Sequence, residues 1–198
     1  MKHYDRAWAE IDLDALRFNI EEIKKCIDGT TQIIAVLKTD GYGHGAVQLA
    51  RILENDRQVW GYAVATAEEA FALKEEGIRK PLLILGYTFP YSYERLVYEG
   101  VRATVFTLEA AEELSRAAVK LGKRCSVHIK LDTGMTRIGI YPDEEGMALV
   151  RQLLALPGLE IEGIFTHFAT ADEADRTKAY HQMTLFQDFA ERIERELD

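Results

Sequence analysis

The sequence predicts an α/β fold from three observations. Six short apolar runs, rich in β-branched residues, have the length of strands, and each is followed by a segment with the apolar spacing of a helix. Threonine or aspartate stands where several of these helices would begin, and glycine stands where several would end. Regular alternation of strand and helix favours parallel strands joined by right-handed crossovers.

The predicted elements run along the whole chain. An alternating segment from Trp8 to Leu13 predicts a short leading strand, and apolar residues from Leu16 to Ile27 then share one helical face. The six strands of the repeating units are predicted at 33–37, 60–65, 82–85, 103–106, 125–132 and 161–168. Further helices are predicted at 46–55, 66–77, 91–99, 107–121, 143–156 and 178–197.

Local signals fix several helix ends. Thr66 and Glu69 have the spacing of a capping box, in which the hydroxyl accepts a hydrogen bond from a free amide and the glutamate reaches back to the cap residue. Three helices are followed by a glycine stop, at Gly77, Gly100 and Gly122.

The composition limits the class of protein. With 198 residues, 47% of them apolar, the chain is predicted to form one globular domain over residues 1–198. The net charge of −9 argues against nonspecific binding to nucleic acid or to an anionic membrane. Met1–Asp5 lacks a signal-peptide core, and no apolar run approaches the about 20 residues of a membrane span. Cys26 and Cys125 have no metal-ligand spacing, so we expect no metal site and a cytoplasmic location.

The first candidate site follows the strand at 33–37. Lys38 ends this apolar run, and glycine then stands at every second position of 41–45. An amine that attacks a carbonyl group must be held still and partly desolvated, because an ordinary lysine pKa of about 10.4 leaves little neutral amine at pH 7. The glycines allow close approach to an anionic ligand, and Tyr42 offers a hydroxyl to a phosphate. A common glycine-rich turn between a strand and a helix explains the same residues without a ligand.

The second candidate site lies on the strand at 125–132. Residues two apart share one face of a strand, so His128, Lys130 and Asp132 are predicted to point into a barrel while the apolar residues between them meet the helices. This arrangement is costly unless the charges are paired and hydrogen-bonded, and the alternative is a solvated edge strand. Arg137 lies in the loop that follows and is placed to reach the same cavity.

The third candidate site is at the end of the strand at 161–168. His167 has the parity of Gly163 and Phe165, so we expect it to face inward at the carboxyl end of the strand, level with Lys38. A lone histidine at a strand end is more often a structural hydrogen-bonding group than a catalytic one. His44 in the glycine loop is assigned to loop structure.

Three segments of the chain resemble the signature motifs of the bacterial alanine racemases. They are residues 35–45 (AVLKTDGYGHG), 128–139 (HIKLDTGMTRIG) and 163–169 (GIFTHFA). The resemblance implies a pyridoxal-phosphate enzyme that converts L-alanine to D-alanine for peptidoglycan synthesis. It also implies an N-terminal (β/α)8 barrel, of which this chain would supply about six βα units.

The resemblance assigns a role to each candidate residue. Lys38 would bind pyridoxal phosphate covalently and serve one face of the substrate as acid and base, and Tyr42 would bind the phosphate. Arg137 would hydrogen-bond the phenolic oxygen of the cofactor and lie near the substrate carboxylate. Lys130 matches a lysine that is carboxylated in a number of family members and holds the arginine. His167 would lie beneath the cofactor ring.

The chain is shorter than such an enzyme. A complete barrel usually takes about 250 residues, so the resemblance implies an incomplete barrel without its last strands and without the β-rich C-terminal domain. In the family, the opposite face of the substrate is served by a tyrosine of that domain, donated by the partner subunit of a head-to-tail homodimer. The partner of the pyridine nitrogen also comes from later strands. We therefore expect the chain alone to have little racemase activity and to hold the cofactor poorly.

Other functions stay open. A barrel-only protein that carries pyridoxal phosphate without turnover would have a similar length, but we would not expect in it the motifs around Lys38 and Arg137. A related barrel decarboxylase would differ in its substrate. A serine racemase domain of a larger, membrane-tethered protein would differ mostly in residues outside this chain. A soluble α/β domain without a cofactor is the least specific alternative.

Overall fold

Strands and helices alternate along the computed structural model, which describes residues 7 and 9–197. The strands are β1 (Ile33–Val36), β2 (Val59–Val64), β3 (Leu82–Ile84), β4 (Ala103–Val105), β5 (Cys125–Lys130) and β6 (Leu159–Phe165). The helical segments are α1 (Leu13–Lys24), the single turn α2 (Lys38–Tyr42), α3 (Ala46–Leu53), α4 (Ala67–Glu75), a 3-10 turn (Pro90–Ser92), α5 (Tyr93–Glu99), α6 (Leu108–Lys120), α7 (Glu144–Leu154) and α8 (Thr177–Leu197).

The strands form two three-stranded sheets, in the orders β1-β2-β3 and β4-β5-β6. The pairs β1–β2, β4–β5 and β5–β6 are parallel, as the alternation of strand and helix predicts. The α/β class and the prediction of about six βα units are therefore confirmed.

The predicted leading strand from Trp8 to Leu13 is wrong for the residues that the structure describes. Residues 9–12 have no regular structure, and α1 begins at Leu13. The carboxylate of Asp12 accepts hydrogen bonds of 2.9 and 3.0 Å from the amides two and three residues later, so a helix cap occupies the place of the strand. Trp8 and the Met1–Asp5 segment lie outside the described residues.

The chain divides into two compact units, Met1–Leu82 and Leu83–Asp198. In the first unit, Tyr62 of β2 is fully buried, and its hydroxyl donates a 2.7 Å hydrogen bond to the carbonyl of Ala50 on α3. The apolar run at 33–37 predicts a buried strand, but Ile34 and Val36 are 37% and 39% exposed. Ile34 and Val36 lie two residues apart and therefore share one face of β1, which is the exposed face.

In the second unit, the core lies between β5 and the helices. Val127 and Ile129 of β5 and Leu131 just after it are fully buried. Two helices of this unit, α6 and α7, are capped by side chains, as the sequence predicts. Asp143 accepts a 2.8 Å hydrogen bond at the start of α7, and Thr107 accepts one of 3.4 Å at the start of α6.

Gly61 offers a test of the packing in the first unit. A β carbon at Gly61 would overlap the carbonyl oxygen of Pro81, which accepts the neighbouring amide of Tyr62. We expect Gly61→Ala to lower the free energy of unfolding by about 1–3 kcal/mol, because the backbone must move apart. Urea denaturation of both forms measures the difference. Gly29→Ala is the matched control, since nothing lies within 4 Å of a β carbon there; equal midpoints for the two variants would contradict the packing described.

Candidate active site

A left-handed turn carries the chain away from Lys38. Thr39, Asp40, Gly41 and Tyr42 have φ values of 56°, 52°, 62° and 57°. The left-handed helical conformation costs a residue with a β carbon about 1–2 kcal/mol, and it is unusual for a β-branched residue such as Thr39. Backbone strain of this kind persists only where the surrounding structure enforces it. Only the glycines of this turn are predicted from the sequence; the positive φ values of Thr39, Asp40 and Tyr42 are not.

Two hydrogen bonds fix the backbone on either side of Lys38. The amide of Leu37 donates to the carbonyl of Ala63 on β2 at 2.7 Å. The amide of Thr39 donates to Oε1 of Glu69 on α4, also at 2.7 Å. The backbone on either side of Lys38 is therefore restrained, by a main-chain acceptor before it and by a side-chain acceptor after it.

Glu69 differs from its predicted part in a capping box. The start of α4 is confirmed, because Thr66 accepts the amide of Glu69 at 3.4 Å. However, Oε2 of Glu69 accepts the amide of Ala65 at 2.7 Å, and its other oxygen binds Thr39. The carboxylate thus joins the end of β2 to the turn after Lys38, where the sequence predicted a contact within the helix start alone.

The far end of the turn is held by Asp40. Its Oδ1 accepts the amide of Ala46 at 2.8 Å, at the start of α3. Gly41 is buried, and a β carbon there would lie 2.7 Å from Leu49 Cδ1, so this glycine is needed for packing against α3. Nδ1 of His44 lies 3.1 Å from each of two carbonyl oxygens of the loop, which supports its predicted structural role.

The structure brings Lys38 and Tyr42 together. The lysine side chain is half-buried, and its Nζ lies 5.8 Å from the centre of the Tyr42 ring. Tyr42 is 58% exposed, so its hydroxyl is open to a ligand. An amine and a phenol beside an open glycine turn suit a ligand that has both a carbonyl group and an anionic group.

In the second unit, the polar residues of the β5 segment are buried together with the apolar ones. His128, Lys130 and Asp132 are all buried, and β5 lies between β4 and β6, which rules out a solvated edge strand. The imidazole Nε2 of His128 lies 3.0 Å from Oε2 of Glu162, and Arg102 donates two hydrogen bonds, of 3.0 and 2.9 Å, to the same carboxylate. The buried imidazole of His128 is therefore paired, as the sequence requires of a buried polar group.

The role of Glu162 is not predicted from the sequence. Val127 pairs with Ile161 but His128 pairs with Gly163, so the register shifts by one residue at Glu162. A bulge of this kind breaks the alternation of faces on which a parity argument depends. No signal in the sequence locates it.

Lys130 is only 3% exposed. Its Nζ donates a 2.6 Å hydrogen bond to the carbonyl of Leu131 and lies 5.6 Å from the centre of the Phe165 ring. Burial lowers the pKa of this amine, and the positive charge of Arg137 adds to the effect, whereas the charge of Asp132 opposes it. The net result is a lowered pKa, which favours the neutral, nucleophilic form of the amine.

Asp132 organises the loop that carries Arg137. Its Oδ1 accepts the amides of Gly134 at 3.0 Å and Thr136 at 2.9 Å. Burial raises the pKa of this carboxyl, but the amides of Thr136 and Gly134 and the charge of Lys130 outweigh it, so the pKa is lowered. Arg137 itself is exposed at the end of the loop.

Gln182 of α8 joins this loop to the one that carries His167. The glutamine is buried, its Nε2 donates to Thr133 Oγ1 at 3.2 Å and to the carbonyl of His167 at 3.0 Å, and its Oε1 accepts the amide of Ala169 at 2.9 Å. His167 lies past the end of β6 and is exposed. The sequence does indicate that Gln182 is buried, because it stands seven residues before the buried Phe189 and therefore lies on the apolar face of the helix.

The predicted residues thus form two groups, one in each unit. Lys38 and Tyr42 lie together in the first unit. Lys130 and Arg137 interact electrostatically in the second, and the His167 loop is tied to the Arg137 loop. Within residues 7 and 9–197, no group of three or more His, Cys, Asp or Glu is arranged to hold a metal ion.

These features define a parallel α/β protein with a strand-end lysine and a second, buried lysine beside an arginine loop. The family model described as "Alanine racemase, N-terminal domain" matches residues 11–198. The chain therefore belongs to the alanine racemase N-terminal domain family.

Individual relatives agree with this assignment. An alanine racemase of Clostridium perfringens is 45% identical over 94% of this chain and 48% of its own length, and one of Desulforamulus reducens is 44% identical over 94% and 50%. The solved alanine racemase of Clostridium difficile is 40% identical, with a TM-score of 0.94 over 98% of this chain and 51% of its own. The chain spans about half the length of the curated relatives it matches.

The lowered pKa of Asp132 predicts a pH-dependent stability. A carboxyl whose folded pKa lies below its unfolded value of about 3.9 stabilises the fold above that pH, and the contribution is lost as the pH falls through the folded pKa. We expect Asp132→Asn to cost about 1–2 kcal/mol at pH 7, because hydrogen bonds to a charged acceptor are lost.

Unfolding by urea between about pH 7 and pH 2 measures this contribution. The difference between the wild type and Asp132→Asn should shrink at pH values below about 4. The exposed Asp172 gives the control, since Asp172→Asn removes the same charge from the surface. A difference that stays constant over the whole pH range would contradict the role given to Asp132.

Proposed function

We propose that the chain is the cofactor-binding part of a pyridoxal-phosphate-dependent amino-acid racemase, with alanine as substrate. The observation that carries the proposal is Lys38, a half-buried lysine whose neighbours Leu37 and Thr39 are held by backbone-amide hydrogen bonds and whose amine lies near the exposed ring of Tyr42. Membership of the alanine racemase N-terminal domain family supports the reaction and the substrate.

The residues present fit pyridoxal phosphate by the chemistry of their donors. The primary amine of Lys38 suits the aldehyde, the hydroxyl of Tyr42 suits the phosphate, and the guanidinium of Arg137 suits an anionic oxygen or a substrate carboxylate. The imidazole of His167 would contact the ring of the cofactor. Gly43 adds room, because no atom of the described residues lies within 4 Å of a β carbon there.

The chemistry divides between the cofactor and the chain. When bound, pyridoxal phosphate supplies the electron sink that makes the α-proton of an amino acid acidic enough to remove at pH 7. Lys38 Nζ would accept this proton, or return it, on one face of the α-carbon. Racemisation requires a second acid-base group on the opposite face, and we propose that the partner subunit of a head-to-tail homodimer supplies it. We assign that role to no residue in the described part of the chain, so the 198 residues alone should racemise alanine poorly.

The biological setting is part of the same proposal. Production of D-alanine for peptidoglycan synthesis in the cytoplasm would suit an enzyme of this family. Among the described residues, no helix has both the length and the apolar character needed to cross a membrane.

Exchange of the α-proton tests the proposal, because it needs only one acid-base face. With saturating pyridoxal phosphate in deuterated water, we expect the chain to exchange the α-proton of alanine without converting one enantiomer into the other. Serine and ornithine should exchange more slowly, and Lys38→Ala should lower the rate to that of the free cofactor. Mass spectrometry and chiral chromatography measure the two outcomes.

The exposed Lys25 provides the control, and Lys25→Ala should exchange as the wild type does. No exchange above the free cofactor would contradict the proposed function. Faster exchange with serine would favour a serine racemase, and loss of carbon dioxide from ornithine would favour a decarboxylase. Rapid interconversion of the alanine enantiomers would contradict the need for a partner residue.

We also propose that Lys130 is carboxylated. Its neutral Nζ would attack carbon dioxide, a nitrogen–carbon bond would form, and one proton would leave to solvent, giving an anion beside Arg137. Burial and the neighbouring Arg137, both of which lower the amine pKa, support this modification.

With labelled bicarbonate, we expect one carbamate carbon signal in the NMR spectrum and a native mass that exceeds the sequence mass by one carbon dioxide. The signal should vanish in Lys130→Arg and persist in Lys25→Arg. A native mass that equals the sequence mass in bicarbonate buffer would rule the modification out.

A further inference from the structure

The geometry points to Glu69 as the positioning residue for Lys38. The inference rests on the proposed function, since it concerns the orientation of the amine that would bind the cofactor. Glu69 does not belong to the lysine motif and lies on α4, 31 residues further along the chain. Its carboxylate nevertheless binds the residue immediately after the lysine.

Two hydrogen bonds restrain the backbone on either side of Lys38. Leu37 is restrained by the main chain of Ala63, a contact that any side chain at that position allows. Thr39 is restrained by Oε1 of Glu69 at 2.7 Å, which depends on one particular side chain. Without this acceptor, the amide of Thr39 would lose the fixed partner that holds it at the start of the strained turn.

The other oxygen of the Glu69 carboxylate is also held by a hydrogen bond. Oε2 of Glu69 accepts the amide of Ala65, the residue that follows β2, at 2.7 Å. Because both oxygens are held by backbone amides, the carboxylate cannot rotate away from Thr39 without breaking the second bond. The strand β2 therefore fixes Glu69, and Glu69 fixes the backbone of Thr39 and so the direction of Lys38.

Positioning of the lysine turn by Glu69 differs from ordinary capping of α4. Thr66 is the cap of α4 and accepts the amide of Glu69, but it does not bind the lysine turn. Loss of the Thr66 hydroxyl would weaken the start of α4 while leaving the carboxylate in place. Thr66→Ala is therefore the matched control for Glu69→Gln, whose amide group would bring a donor against an amide that also donates.

The test measures two quantities in the full chain. The first is the hydrogen-exchange rate of the Thr39 amide, followed by NMR without cofactor. The second is the rate of imine formation with pyridoxal phosphate, followed by absorbance. We expect Glu69→Gln to raise the exchange rate and lower the imine rate by about tenfold each, the size of a lost hydrogen bond to a charged group. Thr66→Ala should leave both rates within about twofold.

If Glu69→Gln does not fold, Glu69→Asp tests the positioning role of Glu69 in its place. It keeps the charge at the helix start, but its shorter side chain cannot span both amides, so it should show the same defects as Glu69→Gln. Equal effects of the Glu69 and Thr66 variants would reduce Glu69 to a helix cap and overturn the inference. Unchanged rates in both Glu69 variants would also overturn it. Absence of imine formation at Lys38 in the wild type would instead refute the proposed function.

Discussion

The restraint of the backbone on either side of Lys38 is the constraint on which the candidate site depends. Four consecutive residues, Thr39 to Tyr42, have positive φ values, and three of them carry a β carbon, so an isolated chain would avoid this conformation. The conformation is held because α3 and α4 each supply a hydrogen-bond partner to the turn, and β2 binds the amide of Leu37 just before it. The repeated strand-helix architecture is thus what allows a strained turn to present a lysine in one direction.

The second unit follows a different principle, the burial of polar groups with full pairing. A histidine, a lysine and an aspartate lie inside the unit, and each has a partner: Glu162 for His128, a carbonyl for Lys130, and two loop amides for Asp132. Because buried polar groups are costly when unpaired, such a network favours one arrangement of the loops that carry Arg137 and His167. Gln182 extends the network to α8.

The sequence predicts the fold well because strands, helices and their ends depend on local periodicity and on capping residues. It predicts the candidate residues through three motifs, and Lys130 is buried in the structure. The failures involve contacts distant in the chain or departures from regular geometry. The bond from Glu69 to Thr39 spans 30 residues, and the bulge at Glu162 breaks the alternation that parity assumes. The leading strand failed because alternation near Asp12 resembles a strand, whereas the cap of α1 decides the structure.

The central claim is that Lys38 is the amine that binds the cofactor. Borohydride reduction of the chain with pyridoxal phosphate, followed by proteolysis and peptide mapping, tests it most directly, because the reduced bond is permanent and identifies one residue. We predict a single dominant pyridoxyl group on the peptide that contains Lys38. A dominant label on Lys130, or labelling spread over exposed lysines such as Lys25, would contradict the claim.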